Sequence, residues 1–444
     1  MRSHVAARLI AAGMSEAAAE MKSQLFAKLE PELTAASAAE IMRWFVPGRI
    51  EVLGKHTDYA GGRSLLCTTE RGFCVAAFPR DDSLVRISDV VRGQAFEFLI
   101  SPDLEVPTSS WRLYATVVAR RLTRNFRGTL RGADIALASD LPSAAGMSSS
   151  SALVVAMYAV LSAVNCIAER EEYRANIITA EDLAGYLGCI ENGQSYKLLA
   201  GDGGVGTFGG SEDHTAILCT EPRRLQQYSF CPVRLERTVE FPGDSMFVIG
   251  VSGVVADKTG SAKALYNRAS QGVRSILEIG RSALDSNAAT LAAAATSSSD
   301  APEKIRAAIR EYASAEDARW LLNRFEQFWR ESEVIIPKAG DALARHDLVG
   351  FGELVGDSQA GAETLLGNQV PETSWLVREA RALGAEASSA FGAGFGGSVW
   401  ALVAREHADE FVLNWSERYL TSRFHAARSS QFFLSAPGPP MVRL

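Results

Sequence analysis

The hydrophobic pattern changes character along the chain. In "SLLCTTERGFCVAAFP" (64–79), "LVRISDV" (84–90) and "AFEFLI" (95–100), β-branched and aromatic residues crowd together between Gly, Pro and Asp, which predicts strands. "TLRGADIALASDLP" (129–142) predicts another strand, and it leads into "SAAGMSSSSALVVAMYAVLSAV" (143–164), whose long apolar run predicts a buried helix. "DLAGYLGCIENGQ" (182–194) is helical in period, and a glycine-dense stretch follows at 200–219. After the strand-like "FVIGVSG" (247–253), helical periodicity dominates at 260–284, 316–343 and 347–366. "GAGFGG" (392–397) then runs into the strand-like "SVWALVA" (398–404). The low-complexity segment 286–304 predicts a surface helix and loop, and "SAPGPPMVRL" (435–444) a Pro-rich tail. No long repeat stands out. The pattern predicts an α/β chain divided near residue 240, with domains at 1–240 and 241–444.

Composition fits that division. A chain of 444 residues, 47% hydrophobic and 22% charged, is long enough for about two domains with cores of their own. Its formal net charge of -7 argues against nucleic acid or an anionic membrane as partner. The cysteines (Cys67, Cys74, Cys166, Cys189, Cys219, Cys231) show no CxxC and no paired spacing, which predicts reduced, mostly buried thiols. The six histidines are scattered without HExxH, so a zinc site is not expected. Glu16 and Glu20 spoil a transit-peptide reading of the alanine-rich first turns, and the apolar run 152–164 is too short for a membrane span. A cytoplasmic location is expected.

Three motifs carry candidate chemistry. In "LPSAAGMSSSSA" (141–152) a strand end, small residues, Gly146 and a serine run open an apolar helix. Such a helix start presents unpaired N–H groups and the positive end of the helix dipole, which suits phosphate. The same residues would also cap a helix packed tightly against a sheet. GxxxxGK[ST] is absent, so this is not the usual P-loop. "GAGFGG" matches GxGxxG, but a strand follows it where a dinucleotide fingerprint needs a helix. In "PGRIEVLGKHTDYAGG" (47–62), Arg49, His56 and Asp58 crowd a short turn, offering the paired donors and acceptors that a hydroxyl-rich ligand needs. A turn-capping Asp58 and a core-paired Arg49 would account for them equally.

In this order the three motifs resemble the GHMP kinase superfamily, and within it the galactokinase family most closely. The resemblance implies a two-domain α/β (α+β) fold, with an N-terminal ribosomal-S5-domain-2-like domain, a C-terminal ferredoxin-like α+β domain and the active site in the cleft. It implies ATP and Mg²⁺, and transfer of phosphate to the anomeric hydroxyl of a monosaccharide. Asp213, in "GGSEDHT", matches the catalytic aspartate, and Arg49 the arginine that keeps that carboxylate ionised. Glu191 matches the metal-binding glutamate and Ser150 the serine completing the Mg²⁺ site, with Ser149 as alternative. Gly146, Ser148, Ser149, Ser150 and Ser151 would hold the phosphates, and "GAGFGG" would brace their loop. His56, Asp58 and Tyr266 match sugar contacts. About ten extra residues separate Glu191 from Asp213, and Glu212 competes for the catalytic position unless a strand there points it away.

Lys55 breaks the pattern. The signature has glutamate there, accepting a hydrogen bond from the C6 hydroxymethyl group, whereas lysine offers donors alone. A carboxylate at C6 would match its charge, so the expected substrate is galactose or a uronic acid such as galacturonate. A Lys55 that turns to solvent or pairs with Glu51 would remove that reason. Other readings are another GHMP kinase, for mevalonate or homoserine, and a non-catalytic sugar and ATP sensor. The expected partners are sugar and ATP, for a monomer or weak homodimer.

Overall fold

The β-branched and aromatic runs build the sheets. The protein is seen in a computed structural model that describes residues 4–33, 41–108, 110–255 and 263–444. Its longest strands are β1 (Met42–Leu53) and β2 (Arg63–Pro79). They are followed by β3 (Leu84–Asp89), β4 (Gln94–Leu99), β5 (Ala133–Ser139), β6 (Arg224–Ser229) and β7 (Arg234–Glu240). Next come β8 (Ser245–Val251), β9 (Ala387–Phe391), β10 (Ser398–Ala404), β11 (Gln431–Ser435) and β12 (Val442–Arg443).

The first sheet runs β12-β1-β2-β5-β3-β4, with β6 and β7 continuing from β2. Its pairs are antiparallel except β3 with β5. Both faces of its centre are covered, which is why β1 and β2 read as near-continuous apolar runs. Alternation sorts the side chains: Trp44 and Val46 enter the main core, while Phe45 faces Leu9, Phe26 and Leu29 from the N-terminal helices. The helix Ser149–Val164, apolar on almost every side, lies on the main face and is buried for the same reason.

The second sheet runs β11-β8-β10-β9, all antiparallel. Helices Pro371–Ala382 and Ala408–Leu420 pack on it through Leu376, Ala380 and Trp415. The strands thus divide between Glu240 and Ser245, but β12 returns from the far end of the chain to pair with β1. The cores also merge, since Ile249, Phe391 and Trp400 share one apolar cluster with Val52 and Leu137.

Three expectations need correction. Segment 286–304 is a helix and loop only partly at the surface: residues 296–300 are exposed, but in the short helix Leu291–Ala295, Leu291, Ala294 and Ala295 are fully buried against Ile276, Ile305 and Phe328. The small alanines let the backbone approach closely. The Pro-rich tail is pinned: the Gly438 N–H donates to the Thr68 carbonyl (3.2 Å), and β12 adds a strand beside Trp44 and Phe45. The thiols are less buried than expected, with Cys67 and Cys74 buried but Cys166 and Cys231 exposed.

Candidate functional site

Arg49 and Glu51 stand two residues apart on β1, which puts both side chains on one face of the strand. Irregularities in the pairing with β2 flank this segment, between Pro47 and Arg49 and between Glu51 and Leu53. Such bulges re-aim side chains, and here they direct a guanidinium and a carboxylate into the interior. Arg49 is 2% exposed, and its Nη1 donates to the Gly146 carbonyl at 2.5 Å, tying the strand to the serine loop.

That loop enters the helix Ser149–Val164 through left-handed residues, Gly146 at φ 74° and Ser148 at φ 59°. A Cβ on Gly146 would lie 3.0 Å from the Phe391 carbonyl, and one on Gly392 2.8 Å from the Gly146 carbonyl. Ser398 Oγ donates to the Ala145 carbonyl at 2.6 Å. The "GAGFGG" segment therefore braces the loop backbone to backbone, which only glycine allows at these positions.

Behind the loop lies a small cleft with a cavity volume of about 40 Å³. Asp213 and Glu212 both line it, because they begin a helix (Glu212–Cys219), so no strand points Glu212 away. Successive residues in a first helical turn lie about 100° apart, so adjacent acids reach the same space. Arg49 Nε donates to Asp213 Oδ1 at 2.8 Å and sits 3.7 Å from Glu212 Oε1, while Nη2 is 3.8 Å from Glu51 Oε2. One cation thus faces three acids. Burial, then Glu51 and Asp58, push the Glu212 carboxyl well above its ordinary range, against the pull of Arg49. Burial likewise raises Glu51 to about 7, opposed by Arg49 and Lys55. Burial also lowers the charged form of Arg49, but its three acids outweigh this and leave its affinity for the proton raised.

Ser151 Oγ lies between Glu191 Oε2 (2.8 Å) and Asp213 Oδ2 (3.1 Å), so it is this hydroxyl that meets Glu191. Ser150, the serine expected beside Glu191, and its alternative Ser149 line a different cavity with Gly146 and Ser148. Ser151 alone of this serine run lines the cleft with the acids. His214 Nε2 stands 3.2 Å from the same Glu191 oxygen. Among the described residues no cluster of three or more His, Cys, Asp or Glu forms a metal cage.

Asp58 is placed by its own turn. Its Oδ1 accepts from the Tyr59 N–H (2.8 Å), and its Oδ2 accepts from the Glu212 N–H (3.2 Å), capping that helix from across the cavity. His56 and Tyr266 line the cavity too, their rings 5.2 Å apart. Both His56 nitrogens are engaged within the protein: Nε2 donates to the Ala393 carbonyl (2.9 Å), so in the neutral ring Nδ1 accepts from Tyr59 OH (2.7 Å). Through these contacts His56 also holds the turn against "GAGFGG".

Lys55 leaves the cavity altogether. It is 1% exposed and its ammonium donates to Ser389 Oγ (2.8 Å) and Ser358 Oγ (3.0 Å) in the second half of the chain. Glu331 completes the knot, accepting from Ser358 Oγ and the Gly54 N–H, each at 2.9 Å. Glu331 reaches inward from a wide helical turn, Arg330–Ile335, that interrupts the helical run. The charge that suggested a uronic acid is therefore spent on a contact with the second half of the chain, and the substrate expectation built on it is withdrawn. Two residues escaped the sequence reading. Glu51 gives no signal beyond its two-residue spacing from Arg49, and His214 none beyond adjacency to Asp213.

The second cavity, about 380 Å³, lies on the other side of the serine loop. Phe73, Trp111 and Leu153 supply apolar walls, and Arg92, held by Asp89 (2.8 Å) and Ser143 Oγ (2.6 Å), supplies charge. The helix N-terminus forms the partition between the two spaces.

Comparison with known proteins agrees with this geometry. Residues 34–79 match the galactokinase galactose-binding signature, 113–192 the GHMP kinases N terminal domain, and 341–420 the GHMP kinases C terminal region. A galactokinase of Chloroflexus aggregans is 30% identical over 377 residues, covering 82% of this chain and 85% of that one. The crystal structure of Lactococcus lactis galactokinase complexed with galactose superposes with a TM-score of 0.77 at 22% identity, over 95% of this chain and 99% of that one. Methanococcus jannaschii mevalonate kinase shares the fold more distantly, with a TM-score of 0.53 at 11% identity over 89% and 98% of the two chains. With two cavities meeting at a braced serine loop, the chain is a GHMP kinase of the galactokinase family, an ATP-dependent sugar kinase.

Proposed function

We propose that this kinase phosphorylates galactose at its anomeric hydroxyl, with Asp213 as the catalytic base. The observation that carries the reading is the Arg49–Asp213 pair in a cleft directly behind a phosphate-suited helix start. Galactose occupies the cleft beside Arg49 and Asp213, with Asp58 accepting from sugar hydroxyls and Tyr266 packing on the ring. ATP occupies the second cavity, its phosphates against Gly146 and the hydroxyls of Ser148, Ser149 and Ser150. Asp213 orients the anomeric hydroxyl and takes its proton as the oxygen attacks the γ-phosphate. Arg49 holds Asp213 in place and offsets charge on the transferring group.

Glu191 and a loop serine hydroxyl, that of Ser151 by its contact, are the donors that suit Mg²⁺, which keeps several waters and needs no protein cage. When bound, Mg²⁺ neutralises charge on the β- and γ-phosphates.

ADP release over galactose, N-acetylgalactosamine, galacturonate, glucuronate, fucose and arabinose tests the reading. Galactose should give the highest kcat/KM, and Asp213→Asn should lower its kcat by about 10²–10⁴. A preference for galacturonate, or an Asp213→Asn enzyme of undiminished rate, overturns it.

A further inference from the structure

Glu212 and Glu51 have no part in the reading above, yet both stand beside the Arg49–Asp213 pair. Arg49 meets Asp213 at 2.8 Å, Glu212 at 3.7 Å and Glu51 at 3.8 Å, and all four side chains are buried. With every acid ionised, three negative charges would share one cation in the interior, a costly state.

The hydrogen bonds of the two glutamates show how that state is avoided. Glu51 Oε2 accepts from the Gly392 N–H at 3.3 Å, whereas the buried Oε1 receives no bond from any N–H or hydroxyl. The other hydrogen-bond partner of Glu51 is the Glu212 carboxyl, which itself accepts from Ser64 Oγ at 2.6 Å. Ionised carboxylates only accept, so a bond between the two requires a proton on one of them. Burial favours the proton on both, and Glu212 holds it more strongly.

The charged surroundings agree. Arg49 shares β1 with Glu51, Lys55 follows in the next turn, and Glu331 faces Glu51 from the wide turn. Asp58 and Tyr59 face Glu212 from their own short turn, and Asp213 adjoins it. His56, Glu191, His214 and Tyr266 line the same cleft. Lys55 is bound to Ser358 and Ser389, so Arg49 is the cation in contact with the glutamates.

We propose that Glu212 and Glu51 share one proton while the kinase works, which makes Glu212 a positioning residue for the catalytic base: as a neutral donor to Glu51 it leaves Arg49 to Asp213. The proposal rests on Asp213 as that base. Loss of the shared proton to solvent would turn Glu212 into a competitor for Arg49 and add negative charge beside the transferring phosphoryl group.

Isosteric variants test this. Glu212→Gln and Glu51→Gln each keep a donor between the two side chains but remove the shared proton. ADP release gives kcat from about pH 6 to about pH 10 on the sugar of highest kcat/KM, with thermal melts confirming folding. Wild-type kcat should fall about tenfold or more on the alkaline side, and in both variants the fall should shrink to about threefold or less. A fall that persists in either folded variant, or a wild type without one, overturns the proposal, and an Asp213→Asn enzyme that has lost activity leaves the base assignment standing. No sugar-dependent ADP release, or an Asp213→Asn enzyme of undiminished rate, overturns the reading of the site and the proposal with it.

Discussion

Replacing Arg49 with methionine should cost stability in a pH-dependent way. The guanidinium, 2% exposed, lies 2.8 Å from Asp213, 3.7 Å from Glu212 and 3.8 Å from Glu51. At such separations each pair carries about 4–6 kcal/mol of attraction at an effective dielectric constant of ~20. Desolvation of the buried groups cancels most of this. Removing one partner nonetheless leaves the others buried and uncompensated, typically a loss of about 3–5 kcal/mol.

The sign of the pH effect follows from the acids. Glu51 and Glu212 are already raised by burial, and Arg49 is what pulls both down. Without it their folded-state values rise further above the unfolded ones. Raised acids contribute stability below the unfolded value, near 4.5, and lose it as pH climbs through the folded value. Each tenfold change in proton affinity is worth about 1.4 kcal/mol. Urea denaturation of wild type and Arg49→Met at pH 5.5 and pH 8 checks the reasoning. The variant should be weaker by about 3 kcal/mol or more at pH 8, and by at least ~1 kcal/mol less than that at pH 5.5. A penalty equal at both pH values, or below ~1 kcal/mol at pH 8, refutes it.

Three further outcomes are expected. Ser151→Ala removes the hydroxyl between Glu191 and Asp213 and should lower kcat by about tenfold or more with a small change in Tm, read by ADP release and calorimetry. Lys55→Met should keep KM for galactose within about threefold but lower stability by roughly 1–3 kcal/mol, because it strands Ser358, Ser389 and Glu331 in the interior; a large rise in KM with unchanged Tm would return Lys55 to the cavity. The free enzyme should lose stability between about pH 4.5 and 7 as Glu51 ionises, and Glu51→Gln should flatten that slope in a series of thermal melts.

Much of the site was legible because its signals are local. The serine loop announced itself through a strand, a glycine and an apolar helix in sequence, and the structure joins it to "GAGFGG" through Gly146 and Gly392. Arg49 and Asp213 came from short motifs, and they meet at 2.8 Å. What escaped depends on distant partners. Nothing near Lys55 says that Ser358 and Ser389 will face it, since those serines come from a helix and a strand of the other sheet's layer. Glu212 was left open as an alternative acid, because only a strand would have separated it from Asp213, and the helical start brings both to one cavity. The alanine-rich segment at 291–295 offered too little contrast between faces to reveal that it is core. The serine beside Glu191 was off by one, a spacing that a helix turns into a change of direction.

The pairing of β12 with β1 has a consequence for how the chain is made. The strand that presents Arg49 has β2 along one edge from early in synthesis, but its other edge waits for Val442 and Arg443. Contacts of such sequence separation form late, and an unpaired edge invites pairing with other chains. A ribosome that stalls before residue 442 therefore releases a polypeptide with all the phosphate-loop and sugar-turn residues in place but an open flank beside Trp44 and Phe45. Aggregation of truncated products, rather than loss of catalytic groups, is the expected failure of premature termination in this enzyme.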